Sequence, residues 1–336
     1  MNHQMLKKQQ GLTLVELIIA LLISLILTLG IIKIFQQHKL TNNLQQQLSR
    51  TQENSRIALS TLLTDIRGSG FIGCKSRSNT HQNIETNIIA NSVPNNFNFN
   101  KSIIGHKYIN GSWDKLLNKI PSNIETKAEA LSTLSSLDCG AYTMSNSYSN
   151  EDLKINLDNS CNFKKNELVA ISDCESVDIF RISNIPTASN NINPVIILSH
   201  GEEKNITSEL SKSYAANSKV YKVISTLYYI GKDASNLDIN GNKISTLYVK
   251  KNQSNSLGLV AGITDLQLSF GLDTDNNKNI DQHATTQQVI NNSNYDWDQV
   301  ISTQIKLSLS SENNSNNSNS LNKIIISTGV ARNRAL

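Results

Sequence analysis

The sequence predicts an α+β fold in which one long N-terminal helix packs on an antiparallel β-sheet domain. Three observations support this fold class. Residues 12–32 form an apolar run with one charge, Glu16. Residues 35–67 contain neither Pro nor Gly and continue as an amphipathic helical pattern, which ends at Gly68-Ser69-Gly70. Beyond residue 70 the apolar period changes from 3.6 to 2, as expected for strands.

The apolar run is long enough to cross a membrane, because a helix rises about 1.5 Å per residue and the hydrocarbon layer is about 30 Å thick. A cleaved signal peptide would have a shorter apolar region, about 7–15 residues, followed by small residues. This run instead ends at Ile32, Lys33 and Ile34. We therefore expect a membrane-spanning helix over residues 12–34 and its amphipathic continuation over residues 35–70.

The orientation of the anchor follows from its flanking charges. Lys7 and Lys8 precede the apolar run and are expected to keep the amino end in the cytoplasm. Lys33 and Lys39 on the far side weaken this signal. The remaining chain, residues 71–336, is therefore expected to be an exported domain.

Glu16 is the most informative residue of the anchor. A carboxylate in an apolar span costs about 2.5–3.5 kcal/mol on insertion scales. No Lys or Arg within residues 12–32 can pair with it. Either the side chain reaches the headgroups, or its partner comes from elsewhere, for example from an amino terminus created by cleavage just before the run.

The residues around Glu16 resemble a known leader. A short basic segment, Gly11 and then Leu-Thr-Leu-Val-Glu-Leu at 12–17 are similar to the class III leader of type IV pilins and pseudopilins. The resemblance implies that residues 1–11 are a leader peptide, that prepilin peptidase cuts between Gly11 and Leu12, and that the new terminus at Leu12 is methylated. Glu16 would then pair with the terminal amine of a neighbouring subunit. Leu12 departs from the Phe that is usual there.

The exported domain is expected to be a sheet of short strands. The clearest pattern is residues 301–309, where Ile301, Thr303, Ile305, Leu307 and Leu309 share one face. Residues 323–330 follow a polar low-complexity stretch and complete a hairpin with a long tip. Further strands are expected at 177–183, 195–199, 219–231, 244–250 and 263–272. Residues 75–160 give no clear assignment.

Five blocks of the exported domain resemble PilW-type minor pilins: residues 171–184, residues 225–231, the strand that contains Leu247 and Tyr248, residues 259–277, and the tail TGVARNRAL. The resemblance implies that the protein is a minor pilin with a pilin-like fold. It would be stored in the bacterial inner membrane and then incorporated into a surface pilus, where it would help to initiate assembly in a tip complex. Its implied partners are other major and minor pilins, prepilin peptidase, the inner-membrane assembly platform and the bilayer. Two alternative functions stay open: a J-type minor pseudopilin of type II secretion, and an adhesive or DNA-uptake pilin.

The four cysteines are Cys74, Cys139, Cys161 and Cys174, and none forms a CxxC pair. In an exported domain two disulfides are expected, with three possible connectivities. We favour a local Cys161–Cys174 bridge and a Cys74–Cys139 bridge. A set of buried, unpaired thiols is the alternative.

One loop has the spacing of a calcium ligand set. Asp273, Asp275, Asn277, Asn279 and Asp281 occupy alternate positions, and Ile280 suits the apolar eighth place. Lys278 replaces the sixth-place Gly, however, and Ala284 replaces the bidentate carboxylate at the twelfth place. A polar hairpin tip without a metal is therefore favoured over a calcium site.

The sequence gives no sign of an enzyme or of a nucleic-acid-binding site. It contains no GxSxG, HExxH, Walker or dinucleotide motif, and its six His residues are scattered. With 31 Lys+Arg against 27 Asp+Glu, the net charge of +4 is too small for a polybasic binder. No cofactor is expected.

Overall fold

The computed structural model of the protein describes residues 13–331, apart from residues 74–85, 92, 94–96, 118–119, 174, 189–194, 233–236, 238–240, 253 and 311–321. Within these residues the chain divides into two compact units, and the division falls between Arg50 and Thr51. The first unit is the N-terminal part of a single helix. The second holds the end of that helix and the strands.

The predicted long helix is one continuous element, α1, at Leu14–Gly68. It runs through Gly30 without a break, as its lack of proline led us to expect. The chain leaves the helix through Ser69 and Gly70, and Gly70 has a φ of 77°. This left-handed conformation favours glycine and explains why the helix ends at the predicted Gly-Ser-Gly segment.

The strands are short and mostly antiparallel. Every strand predicted from periodicity is present, and residues 75–160, which the pattern left unassigned, also contribute strands. The strands are β1 Thr86–Ile88, β2 Ile103–His106, β3 Tyr108–Ile109, β4 Ser112–Trp113, β5 Ala130–Tyr142, β6 Leu153–Asn156, β7 Leu168–Ser172, β8 Val177–Arg181, β9 Val195–Leu198, β10 Lys219–Gly231, β11 Thr246–Lys251, β12 Leu257–Ala261, β13 Ile263–Leu272, β14 Gln282–Thr285, β15 Val300–Ser310 and β16 Asn322–Val330. A short helix, α2, lies at Thr286–Asn291.

The larger sheet is organised around β10. One edge of β10 pairs with β5 over most of its length. The other edge pairs with β7 at Lys219–Lys222 and with β11 at Thr226–Gly231. The strand order β1-β8-β7-β10-β11-β12 follows from this division, with β2 added on β5. Among the described strands only β1 and β8 pair in parallel.

The second sheet has the order β14-β13-β15-β16. Its β15–β16 pair is the hairpin predicted from the sequence, and its register runs without a shift from Ser302↔Val330 to Ser310↔Asn322. The predicted inward face is confirmed, because Ile301, Thr303, Ile305, Leu307 and Leu309 are all buried. The tip of this hairpin, residues 311–321, lies outside the described residues.

The domain has two main groups of buried residues. The first, here called the helix core, joins α1 to β2, β5 and β10–β16; its members include Ala58, Leu62, Ile66, Leu131, Tyr228, Leu268, Phe270 and Leu307. Gly329 of β16 permits the close approach of the helix, because a Cβ at this position would lie 2.9 Å from Ile66 and 3.0 Å from Leu63. The expected packing of the helix on the sheet is thus confirmed.

The second group, here called the disulfide core, lies among β5–β10; its members include Cys139, Leu153, Cys161, Ile171, Phe180, Leu198 and Tyr214. Cys139 and Cys161 form a disulfide with a Cα–Cα distance of 5.1 Å. Both bridges favoured from the sequence, Cys161–Cys174 and Cys74–Cys139, are therefore wrong. Closeness in the sequence favoured pairing Cys161 with Cys174. In the fold, however, the segment before Cys161 lies against β5, because the Ser160 backbone N–H donates a hydrogen bond to the Cys139 carbonyl. Cys74 and Cys174 lie outside the described residues.

Candidate functional site

The first turn of α1 carries the candidate assembly site. Thr13 precedes the helix, and its backbone N–H and hydroxyl each donate a hydrogen bond of 3.0 Å to Oε2 of Glu16. The Glu16 backbone N–H approaches the Thr13 hydroxyl oxygen at 3.4 Å in return. This reciprocal arrangement is a capping box. It fixes the Glu16 carboxylate beside the start of the helix.

Thr13 is a site residue that our sequence reasoning missed. The signal was present, because Thr-x-x-Glu before an apolar run is the capping-box pattern. Gly11 and Leu12, the predicted cleavage and methylation residues, lie outside the described residues. Thr13 follows Leu12 directly in the chain, and Glu16 comes four residues after this predicted new terminus.

The surface of the helix after Glu16 is apolar on every side. The large side chains from Leu14 to Phe35 are exposed, for example Ile26 at 67% and Phe35 at 69%. Its two hydroxyl residues satisfy themselves locally, since Ser24 donates to the Leu21 carbonyl at 2.9 Å and Thr28 to the Ser24 carbonyl at 2.7 Å. Among the described residues, α1 is the one helix long and apolar enough to cross a membrane. A helix that is apolar all round and exposes these side chains fits a lipid environment.

The C-terminal part of α1 is fixed on the sheets by polar contacts as well as by the helix core. The Tyr228 hydroxyl donates to Oδ2 of Asp65 at 2.6 Å, and the Asn54 amide donates to the Ala261 carbonyl at 3.1 Å. Burial, with the Asp65 carboxylate as a second cause, raises the pKa of Tyr228, so its hydroxyl remains a donor. These bonds set the rotation and height of the helix on the sheet.

The predicted metal loop joins β13 to β14, and three of its five residues come together. Carboxylate oxygens of Asp273, Asp275 and Asp281 lie within 4.8 Å of one another. Hydrogen bonds from the loop already engage them: Asp273 accepts from the backbone N–H groups of Asn277 and Lys278 at 3.0 and 2.9 Å. Asp281 accepts from the backbone and hydroxyl of Thr274 at 2.8 and 2.9 Å, and these bonds lower its pKa.

The remaining predicted ligands also serve the loop itself. The Asn277 side chain donates to Asp275 and accepts from the backbone N–H of Asn279. Ala284, at the twelfth place, is a buried residue of β14, so no carboxylate completes the set from that position. The oxygen donors are chemically suitable for calcium. Their hydrogen bonding, however, is that of a self-supporting hairpin tip.

Two family models match the chain. Residues 6–32 match the prokaryotic N-terminal methylation motif, and residues 227–333 match type IV pilus-assembly protein W. No curated protein and no solved structure matches the chain.

The methylation motif, the apolar helix and the helix-on-sheet domain together define a type IV pilin with a prepilin leader. Residues 227–333 are similar to the PilW family of these proteins, and the two matches together support a PilW-family type IV pilin. The protein is accordingly a type IV pilus minor pilin, a structural protein of a family whose members interact with other pilus components and are processed by prepilin peptidase.

Proposed function

We propose that the protein is stored in the inner membrane and enters the pilus as a subunit that helps to initiate assembly in a tip complex. In this proposal residues 1–11 are removed as a leader, residues 12–34 span the membrane, residues 35–70 continue the helix, and residues 71–336 form the exported domain. The amino end faces the cytoplasm before extraction. The bilayer, the assembly platform and other pilins are the partners.

The exposed apolar surface of α1 supports the storage and assembly steps. Lipid tails are as apolar as these side chains, so helix–helix packing in a filament replaces one apolar environment by another with a modest net driving force. Specific polar contacts must therefore fix the axial position of one subunit's helix against the next. The apolar run at residues 12–32 offers one charged group for this purpose, Glu16.

The observation that carries the proposal is the position of Glu16. Its carboxylate is held by Thr13 at the start of an exposed apolar helix, beside the predicted new terminus. An ammonium group on a neighbouring subunit would compensate the buried charge, which otherwise costs about 2.5–3.5 kcal/mol in the bilayer. Storage in lipid would thereby favour pairing as soon as a neighbour is present.

The test is Glu16→Ala in the full chain, in the native host with prepilin peptidase present. We expect the variant to insert and to be cut between Gly11 and Leu12, as read by intact mass and amino-terminal sequencing, but not to support filaments. The matched control is Glu53→Ala, since Glu53 is the next acidic residue of α1 and is exposed. Surface pili counted by electron microscopy should be normal in the control.

Normal piliation by the Glu16→Ala variant would contradict the proposed role of this residue. A deletion strain that keeps its pili and loses a secreted hydrolase would instead indicate a J-type pseudopilin. A strain with normal pilus numbers that loses adhesion or DNA uptake would indicate a ligand-binding pilin.

A further inference from the structure

Strand β16 is an edge of the second sheet. Among the described residues it pairs with β15 on one side and with no strand on the other. Its register with β15 contains no bulge, and residues 322–330 contain no proline. The edge is therefore long and regular.

The direction of its backbone groups follows from one hydrogen bond. The Ala331 N–H donates to the Ile301 carbonyl, so residue 331 points its backbone toward β15. Because backbone groups of an antiparallel strand alternate between its two edges, residues 330, 328, 326 and 324 point theirs away from β15. The outer edge of β16 thus offers N–H donors and carbonyl acceptors at Ile324, Ile326, Thr328 and Val330.

The same residues expose their side chains. Ile324, Ile326 and Val330 are 60%, 58% and 45% exposed, whereas Gly329, on the opposite face, contacts α1. An added strand would therefore find apolar side chains at the positions that also supply backbone hydrogen bonds. That combination is the basis of recognition by strand addition.

Natural edge strands are usually protected against such pairing by shortness, charge, proline or a bulge. The opposite edge of this sheet follows the rule, since β14 has four residues and exposes Gln282, His283 and Thr285. β16 lacks all of these devices between Ile324 and Val330. This contrast between the two edges of one sheet indicates that the unprotected edge of β16 has a function.

The charges near this edge indicate which kind of segment could bind to it. Neither β15 nor β16 contains an acidic residue, and Lys306 stands beside Ile326 in the ladder. The two residues form a cross-strand pair, so their side chains lie on the same exposed face. A segment that combines apolar and acidic side chains would complement this surface.

We propose that β16 accepts an extended segment of another pilin subunit, which adds to the sheet as a further strand with alternating apolar side chains and an acidic residue near Lys306. This inference rests on the proposed function, because it assigns a surface to contacts between subunits. Main-chain hydrogen bonds along β16 provide affinity, and the row Ile324, Ile326 and Val330 provides specificity.

The test uses the full chain, purified in detergent either alone or as a complex with the other pilin subunits of its pilus from the same cells. In the complex, deuterium uptake by the segment Asn322–Ala331 should slow by about tenfold or more, because new backbone hydrogen bonds protect it. Ile326→Pro removes an outward N–H without touching the β15 ladder, a placement that edge strands tolerate. Ile326→Lys keeps the N–H but adds a charge.

Both variants should lower the amount of co-purified pilins by about tenfold, equivalent to about 1.4 kcal/mol. The control, Gln282→Lys, adds the same charge to an exposed position of β14, at the opposite edge of the sheet, and should co-purify normally. Circular dichroism identifies a variant that has lost its fold, and Ile326→Lys, whose backbone is unaltered, then decides the test.

Unchanged uptake of this segment in the complex would overturn the inference. So would protection of the segment in the chain purified alone together with a dimeric mass, because the occupant would then be a second copy. The proposed function fails separately: if Glu16→Ala is piliated normally, the assembly role of Glu16 is lost whatever β16 does. If Glu16→Ala abolishes piliation and both Ile326 variants assemble normally, only the present inference falls.

Discussion

The helix core and the disulfide core solve the same problem, burial of a sheet face, by different means. The helix core covers the sheet with α1, and much of it falls within residues 227–333, which match the PilW family model. The residues of the disulfide core lie outside both matched segments. It relies on the Cys139–Cys161 bridge and on buried polar groups such as Arg181 and Asn205, which exchange backbone–amide hydrogen bonds.

The difference shows that the presence or absence of a helix decides what else a sheet face needs in order to be buried. A helix supplies a continuous apolar stripe, so a sheet that packs on it needs little else. A region without a helix has less apolar surface to bury, and covalent and hydrogen-bonded links then compensate. The β5–β10 pair joins the two regions, because β10 pairs with β7 at one end and with β11 at the other.

The largest expected effect is on the helix core. Leu62→Ala removes a fully buried side chain of α1 and should lower the free energy of unfolding by about 2–5 kcal/mol. The matched control is Ile57→Ala, because Ile57 is 38% exposed on the same helix. Denaturant titration of the full chain in detergent measures both. Equal losses in the two variants would contradict the asymmetric packing of α1.

A smaller effect is expected in the disulfide core. Replacement of both Cys139 and Cys161 by Ser opens a loop with a sequence separation of 22 residues and should cost about 2–4 kcal/mol. Deuterium exchange should accelerate in β6 and β7 and stay unchanged in β13 and β15. Peptide mapping without reduction should recover Cys139 joined to Cys161. Recovery of Cys161–Cys174 or Cys74–Cys139 peptides would contradict the structure.

The smallest effect is expected at the loop between β13 and β14. Since its carboxylates already accept hydrogen bonds from the loop, calorimetry of the full chain with millimolar calcium should show no heat of binding and no change in Tm. A saturable heat that disappears in Asp275→Asn would reverse this interpretation. Asp275 is exposed, so its substitution leaves the fold intact.

Local sequence patterns were sufficient for the helix, the hairpin and the other strands that we predicted. The apolar period and the residue composition that favour a helix or a strand extend over a few neighbouring residues. They can therefore be recognised directly in the sequence, as in α1 and β15. The candidate assembly residue Glu16 was equally clear, because a single carboxylate in an apolar run needs no tertiary information to be recognised. Its hydrogen bonds with Thr13 were also readable in the sequence, though we did not read them.

The sequence by itself determined the anchor, the end of α1 near Gly68, the alternation of the C-terminal strands and the family resemblance. Tertiary structure alone decided that Cys139 pairs with Cys161, that Tyr228 contacts Asp65, that Asp273, Asp275 and Asp281 converge, and that β16 lies at an edge. These contacts join segments through a fold rather than through adjacency. Their formation depends on which strands become neighbours in the sheets. The apolar periodicity of each strand does not determine the order of the strands.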